Sequence, residues 1–190
     1  MNHIIIVSIF LALLTLSLQA KNVEATSLHK QSGLIYENNT DIPFTGNAYT
    51  FFQNGQTKKI VPYYKGKIDG RLTEWRKNKS IRTIAYFREG VQDGEYISKY
   101  ANGKKAVVAY FRHGKQDGEV TTWYKNGFKK SSAYFNNNIQ TGEAKTWYNN
   151  GKLKSIAHYV NGKKNGLYKV YTKEGKLIKK ELYSNGKLLK

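Results

Sequence analysis

The sequence predicts an all-β protein, an elongated sheet of tandem antiparallel β-hairpins preceded by an N-terminal signal helix. Three features point that way. Glycine recurs at Gly46, Gly70, Gly94, Gly118, Gly142 and Gly166, each 24 residues after the last, so six units in strict register cover residues 46 to 189. The ninth and tenth places of a unit are Asn-Gly in four of the six, at Asn54-Gly55, Asn102-Gly103, Asn126-Gly127 and Asn150-Gly151. Asn-Gly between apolar stretches is a strong short hairpin signal, because both residues tolerate positive φ. The flanks are rich in Tyr, Trp, Phe, Val, Ile and Thr and lack a sustained helical period.

Taken in chain order, Ile4 to Leu18 is a mostly apolar run followed by Gln19, Ala20 and Lys21. It reads as a secretory signal peptide over residues 1–20, cut after Ala20 or after Ala25, which has the more acceptable Val23 at its −3 place. The run is short of the roughly 20 apolar residues of a spanning helix. Export puts the mature chain in the periplasm, the cell envelope or the medium. Residues 21–31 are expected to be a flexible lead-in. Residues 32–45, with Leu34 to Tyr36 as a short strand and Pro43 near an edge, read as an incomplete capping unit. From 46 to 190 each unit runs strand, central turn, strand, second turn, with type I′ geometry expected at the central Asn-Gly.

Period two sorts the side chains within a unit. One face takes the seventh place (Phe52, Tyr100, Tyr124, Tyr148), the eighteenth (Tyr63, Phe87, Phe111, Phe135, Tyr159, Tyr183) and small Ala85, Ala109, Ala133 and Ala157 at the sixteenth. The other takes the sixth place (Phe51, Trp75, Trp123, Trp147, Tyr171), the seventeenth (Tyr86, Tyr110, Tyr134) and the fifteenth (Ile60, Ile84, Val108, Ile156). The eighteenth place is aromatic in every unit, so that face is expected to form the inner column. A lone hairpin cannot bury such a face, so the units must pair into one continuous sheet.

The unit, read as Gly, four residues, aromatic-Tyr-x-Asn-Gly-Lys, and later aromatic-x-x-Gly-Lys-x-Asp-Gly, resembles the variant MORN repeat of bacteria. The resemblance implies a hairpin scaffold or binding surface without intrinsic catalytic activity. Some relatives are antitoxins of the YwqK type, and eukaryotic MORN proteins are linked to membranes and protein assembly. Asn78-Lys79 and Glu174-Gly175 depart from the central Asn-Gly, Asn138 replaces a second-turn glycine, and Lys99 replaces the sixth-place aromatic.

Composition narrows the chemistry. The chain has 32 Lys and Arg against 13 Asp and Glu, a net charge of +19, with 14% aromatics and no cysteine. Disulfides, thiolate nucleophiles and cysteine metal sites are therefore excluded. The acidic residues follow the repeat at the turn and do not gather the six to eight oxygens that Ca²⁺ needs. Neither a nucleophile elbow nor a phosphate-cradling loop occurs, so no enzyme, metal, cofactor or small-molecule substrate is expected. Lysines crowd the central turns at Lys104, Lys105, Lys129, Lys130, Lys152 and Lys154. With Trp75, Trp123, Trp147 and Tyr171 they form the candidate binding surface. The expected partner is a protein or an anionic lipid or polysaccharide surface, and export disfavours nucleic acid. The alternative is an antitoxin-like protein that neutralises a partner toxin.

Overall fold

The computed structural model describes residues 21–189. The expected signal peptide, residues 1–20, lies outside them. Residues 21–31, expected to be a flexible lead-in, form regular elements. They carry β1 (Lys21–Glu24), one 3-10 turn over Ala25–Ser27 and β2 (Leu28–Gln31), and β2 forms a separate hairpin with β3 (Leu34–Glu37). Unit 1 supplies β4 (Gly46–Phe51), β5 (Thr57–Tyr64) and the short β6 (Lys67–Ile68). Unit 2 supplies β7 (Gly70–Trp75) and β8 (Ile81–Arg88), and β9 (Val91–Lys99) fuses its last strand to the first of unit 3. Then follow β10 (Lys105–Arg112), β11 (Lys115–Gln116), β12 (Gly118–Trp123) and β13 (Lys129–Asn136). β14 (Ile139–Trp147) is a second fused strand, and β15 (Leu153–Val160), β16 (Lys163–Lys164), β17 (Gly166–Tyr171), β18 (Leu177–Ser184) and β19 (Lys187–Leu188) complete the series.

Each unit strand pairs antiparallel with its chain neighbours, as expected of tandem hairpins, and the sheet is an up-and-down meander. β1 is the exception. It lies parallel on β4 with Lys21 opposite Gly46, and the Lys21 ammonium meets the Glu37 carboxylate at 2.5 Å. A polar strand of four residues has no hydrophobic alternation to reveal it. It is held by backbone pairing, and it covers the unpaired donors and acceptors that would otherwise make the first edge adhesive.

The type I′ geometry expected at the central turn is found at the second turn instead. At the second turn Tyr64 faces Lys67, leaving the two-residue loop Lys65-Gly66, whose φ values are 47° and 78°. Two left-handed residues in a two-residue loop are the type I′ signature. It recurs at Glu89-Gly90, His113-Gly114, Asn137-Asn138, Asn161-Gly162 and Asn185-Gly186. At the central turn only the tenth residue is left-handed. Gly55, at φ 77°, donates its N–H to the Phe52 carbonyl at 2.9 Å, and the Phe52 N–H reaches the Gln56 carbonyl at 2.8 Å. This is a type I turn ending in a glycine bulge over a three-residue loop. The ninth-place Asn serves the turn through its side chain. Asn54, Asn102, Asn126 and Asn150 each accept, through Oδ1, the N–H two residues on. In unit 2 Lys79 occupies the left-handed place at φ 64°.

The period-setting glycines are also left-handed. Gly94 and Gly118 have φ of 116° and 122°, and a Cβ there would stand 2.9 and 3.2 Å from the Cβ atoms of Tyr86 and Tyr110. The seventeenth-place tyrosine thus lies against the next unit's glycine.

Burial is thin and shared by both faces. On the first face the inner row is the sixteenth place: Ala85, Ala109 and Ala157 are 4%, 2% and 6% exposed. The eighteenth-place aromatics, expected as the inner column, are half-buried and flank that row, with Phe111 edge-on to Tyr96 at 6.4 Å and Tyr183 edge-on to Tyr168 at 6.3 Å. Aromatic rings overhang the small residues and exclude water from them. On the second face the fourth and fifteenth places pair across strands into a central spine, in which Thr73, Ile84, Val108 and Thr121 are buried. Tyr86, Tyr110 and Tyr134 stand exposed beside it.

Candidate functional site

The central turns stack along one edge of the sheet, and the seventh-place side chain fastens each turn to the next. Tyr100 Oη donates to the Trp123 carbonyl at 2.7 Å, Tyr124 Oη to that of Trp147 at 2.9 Å, and Tyr148 Oη to that of Tyr171 at 2.8 Å. Arg76 performs the same task in unit 2 by donating from Nη2 to the Lys99 carbonyl. Phe52, in unit 1, has no hydroxyl to give. Beside this ladder runs a second, in which Asn102, Asn126 and Asn150 donate from Nδ2 to the carbonyls of Lys125, Asn149 and Lys173 at 2.8, 2.6 and 3.2 Å. The seventh place, sorted by alternation to a sheet face, is therefore a clasp between units.

The opposite edge is clasped by the backbone. The second-turn N–H of Gly90, Gly114, Asn138, Gly162 and Gly186 donates to the carbonyl 22 residues earlier, at 2.7 to 2.9 Å. Asp69 and Asp93 accept the backbone N–H of Glu89 and His113, 20 residues on, at 3.0 and 3.3 Å. A turn Asp ordinarily bonds the backbone of its own loop. Both carboxylates instead reach across to the following unit.

The candidate lysines divide into two groups. Lys104 and Lys152 are part of the edge itself, with Nζ donating to the carbonyls of Asn126 and Glu174 at 2.6 and 3.0 Å. The others sit over rings. Lys105 Nζ lies 5.8 Å from the Trp123 ring centre and Lys129 Nζ 5.9 Å from that of Trp147. Lys130 and Lys154 stand over Tyr124 and Tyr148 at 5.9 and 5.6 Å. An ammonium over an aromatic face is drawn by the ring quadrupole, which orients the lysine while leaving its charge exposed. Trp75 is set apart. Its cavity, about 460 Å³, is lined by Gly55, Gln56, Thr57, Ile60 and Lys79, and Thr57 takes the twelfth place that is lysine in units 3 and 4. Tyr171 contributes a backbone acceptor to the clasp, with Leu153 at the corresponding twelfth place.

Two cavities follow the paired lysines. One of about 470 Å³ is lined by Lys104, Lys105, Trp123, Asn126, Gly127 and Phe128, and Phe128 is half exposed. The other, about 530 Å³, holds Lys129 and Trp147 together with Glu119, Ser132, Tyr134, Glu143 and Lys145. Phe128, Ser132, Glu119 and Glu143 escape a reading based on charge and tryptophan alone. The available signal was a break in period: the fifteenth place is Ile60, Ile84, Val108, then Ser132, then Ile156. Among the seventeenth-place tyrosines, Tyr110 donates to Glu95 Oε1 at 3.3 Å, and that carboxylate pushes the phenol above its ordinary pKa, chiefly by Coulomb repulsion of the phenolate.

Residues 140–161 and 164–185 match the family model of the MORN repeat variant. The two matched stretches are adjacent repeats, each beginning before a period-setting glycine and ending after its second strand. No curated protein matches the chain.

Proposed function

We propose that the protein is an exported, non-catalytic repeat scaffold that engages an anionic surface through the turn edge of units 3 to 5. Repeats of the MORN variant type suggest a scaffold or binding protein, generally without catalysis. The observation that most supports the finer reading is the recurrence, one unit apart, of a lysine ammonium over an aromatic ring at Lys105/Trp123 and Lys129/Trp147. Units repeat every two strands, about 10 Å, which is about one Debye length at 0.1 M salt, so the fields of successive lysines overlap into one basic stripe. Lys104 and Lys152 contribute charge while fastening the turns. Attraction for a polyanion resides in Lys105, Lys129, Lys130 and Lys154.

The test is binding to vesicles rich in an anionic phospholipid and to acidic oligosaccharides, titrated with salt. Affinity is expected to fall as salt rises, and the joint replacement of Lys105, Lys129, Lys130 and Lys154 by Ala is expected to abolish binding with the thermal transition retained. Equal affinity in that variant overturns the reading. The export half is tested separately by the mass and amino-terminal sequence of the natural protein in envelope, medium and cytoplasmic fractions. A chain starting at Lys21 or Thr26 outside the cytoplasm is expected. An intact cytoplasmic chain overturns export and favours an acidic protein partner such as a toxin.

A further inference from the structure

The cavity that holds the Lys129/Trp147 pair differs from its equivalents in ways that narrow the ligand. Along the second face the spine runs Ile84, Ile97, Val108, Thr121 and then reaches Ser132, whose cross-strand partners are Thr121 and Lys145. Substituting a serine for the isoleucine or valine of earlier units removes the side chain that would occupy the middle of this recess. Its walls are an indole, a phenol that is 48% exposed (Tyr134), two carboxylates (Glu119 and Glu143) and two ammonium groups (Lys129 and Lys145). Glu143 is ion-paired with Lys145, and Glu119 accepts from the Thr121 hydroxyl at 3.0 Å.

Glu119 and Glu143 repel any anion, so the recess suits one that also brings hydroxyls for those carboxylates to accept and a ring face for the indole, which a phosphate-dense surface does not. Carboxylates, ammonium groups and an aromatic platform together suit a molecule with hydroxyls to donate, a ring face to stack and charges spaced along its length. Spacing adds a second constraint. The lysine–tryptophan pair recurs one unit away at Lys105/Trp123, about 10 Å along the sheet, close to the rise of a disaccharide in an extended glycan. We infer that units 3 to 5 bind a linear acidic polysaccharide laid across the strands, one disaccharide per unit, with the Ser132 recess as its principal subsite. This rests on the anionic-surface reading above and selects the uronate-type polymer from the surfaces it allows.

The experiment uses graded oligomers of a linear polyuronate, the neutral oligosaccharide of the same backbone, and anionic phospholipid vesicles, each against the full chain. Affinity for the acidic oligomers is expected to rise with length until two units are spanned, and the neutral oligomer is expected to bind at least about tenfold more weakly. Ser132→Ile restores the residue of units 1, 2 and 5, so the fold should survive. It is expected to lower polyuronate affinity by at least about tenfold, the low end for one extra methylene in a fitted site, since isoleucine adds more than that and removes the hydroxyl, while leaving vesicle binding unchanged. Trp147→Ala, which keeps every charge, should give a comparable loss. Unchanged polyuronate binding in both variants, no dependence on length, or equal binding of the neutral oligomer overturns the inference. Vesicles bound and polyuronate ignored overturns it while leaving the anionic-surface reading intact; neither probe bound overturns both.

Discussion

Units 1 to 3 and units 4 to 6 share one backbone and differ in what holds them. In the front half the second-face spine is buried at Thr73, Ile84 and Val108, and the first face buries Ala48, Val61, Leu72, Ala85 and Ala109. In the back half the spine becomes Ser132, Lys145, Ile156, Lys169 and Lys180, and beyond Thr121 the buried core residue among those described is Ala157. The tyrosine and asparagine clasps of the central turns follow the reverse order, the front half having Arg76 there and the Asp69 and Asp93 carboxylates at its second turns. Phe52 gives none at the first junction, whereas tyrosine and asparagine clasps recur between units 3 and 6. A sheet one layer deep therefore has two ways to keep its units together: exclusion of water from its faces, or saturation of backbone acceptors at its turns. Where the second prevails, the face is released from packing and can present lysines and a recess.

The sharpest way to break this contrast is to place the same charge in both spines. Val108→Asp should cost about 3–5 kcal/mol, because it buries an unpaired carboxylate, whereas Ser132→Asp should stay within about 1 kcal/mol beside its lysines. Urea unfolding of the two variants decides it, and equal losses would mean that the halves are held alike. Next in size is Phe111→Ala, which strips the aromatic overhang from the alanine row and should cost about 2–3 kcal/mol, below the range for fully buried phenylalanine. Trp123→Ala should cost less and act chiefly on binding. Smaller again is Tyr124→Phe, which leaves the Trp147 carbonyl without its hydroxyl donor, at about 1 kcal/mol. The reciprocal Phe52→Tyr should add a clasp at the first junction and raise the unfolding midpoint slightly.

The smallest effect is a pH dependence confined to the last unit. Glu181 stands where earlier units have a small apolar residue, and a hydrogen bond from Lys179 holds its carboxyl below the ordinary value, assisted by one from Tyr183. A carboxyl lowered by folding adds stability that is complete above its unfolded pKa and is lost as pH falls through the folded one. Acidification below the ordinary carboxylate range should thus loosen unit 6 before the rest, seen in the near-ultraviolet circular dichroism of Tyr168 and Tyr183. Glu181→Gln should remove that acid-dependent change.

Much of this was legible from spacing. A 24-residue period with no slip fixes the number of hairpins, the places of both turns and the alternation of faces. The turn types were not legible, because Asn-Gly suits either a type I′ loop or the glycine end of a type I turn, and loop length, which decides between them, depends on cross-strand register. The clasps were hidden for another reason. Their acceptors are carbonyls, which no residue type announces, so Tyr100, Tyr124 and Tyr148 looked like one more aromatic column. β1 escaped because a parallel edge strand needs only backbone. The candidate site was half visible: charge and tryptophan marked Lys105, Lys129, Trp123 and Trp147, while Ser132 carried its meaning as a missing isoleucine.

The parallel seating of β1 on β4 has a consequence for how such a protein changes length over generations. Because β1 closes the first edge by pairing, among the described residues, with Gly46 to Tyr49 alone of the repeat strands, the array has a fixed origin. Each later unit touches its neighbours alone, so duplication or loss of one 24-residue block shifts the far end by about 10 Å and leaves the origin undisturbed. The molecule is in this sense a ruler with its zero welded in place, and lineages can lengthen or shorten it without relearning how to begin.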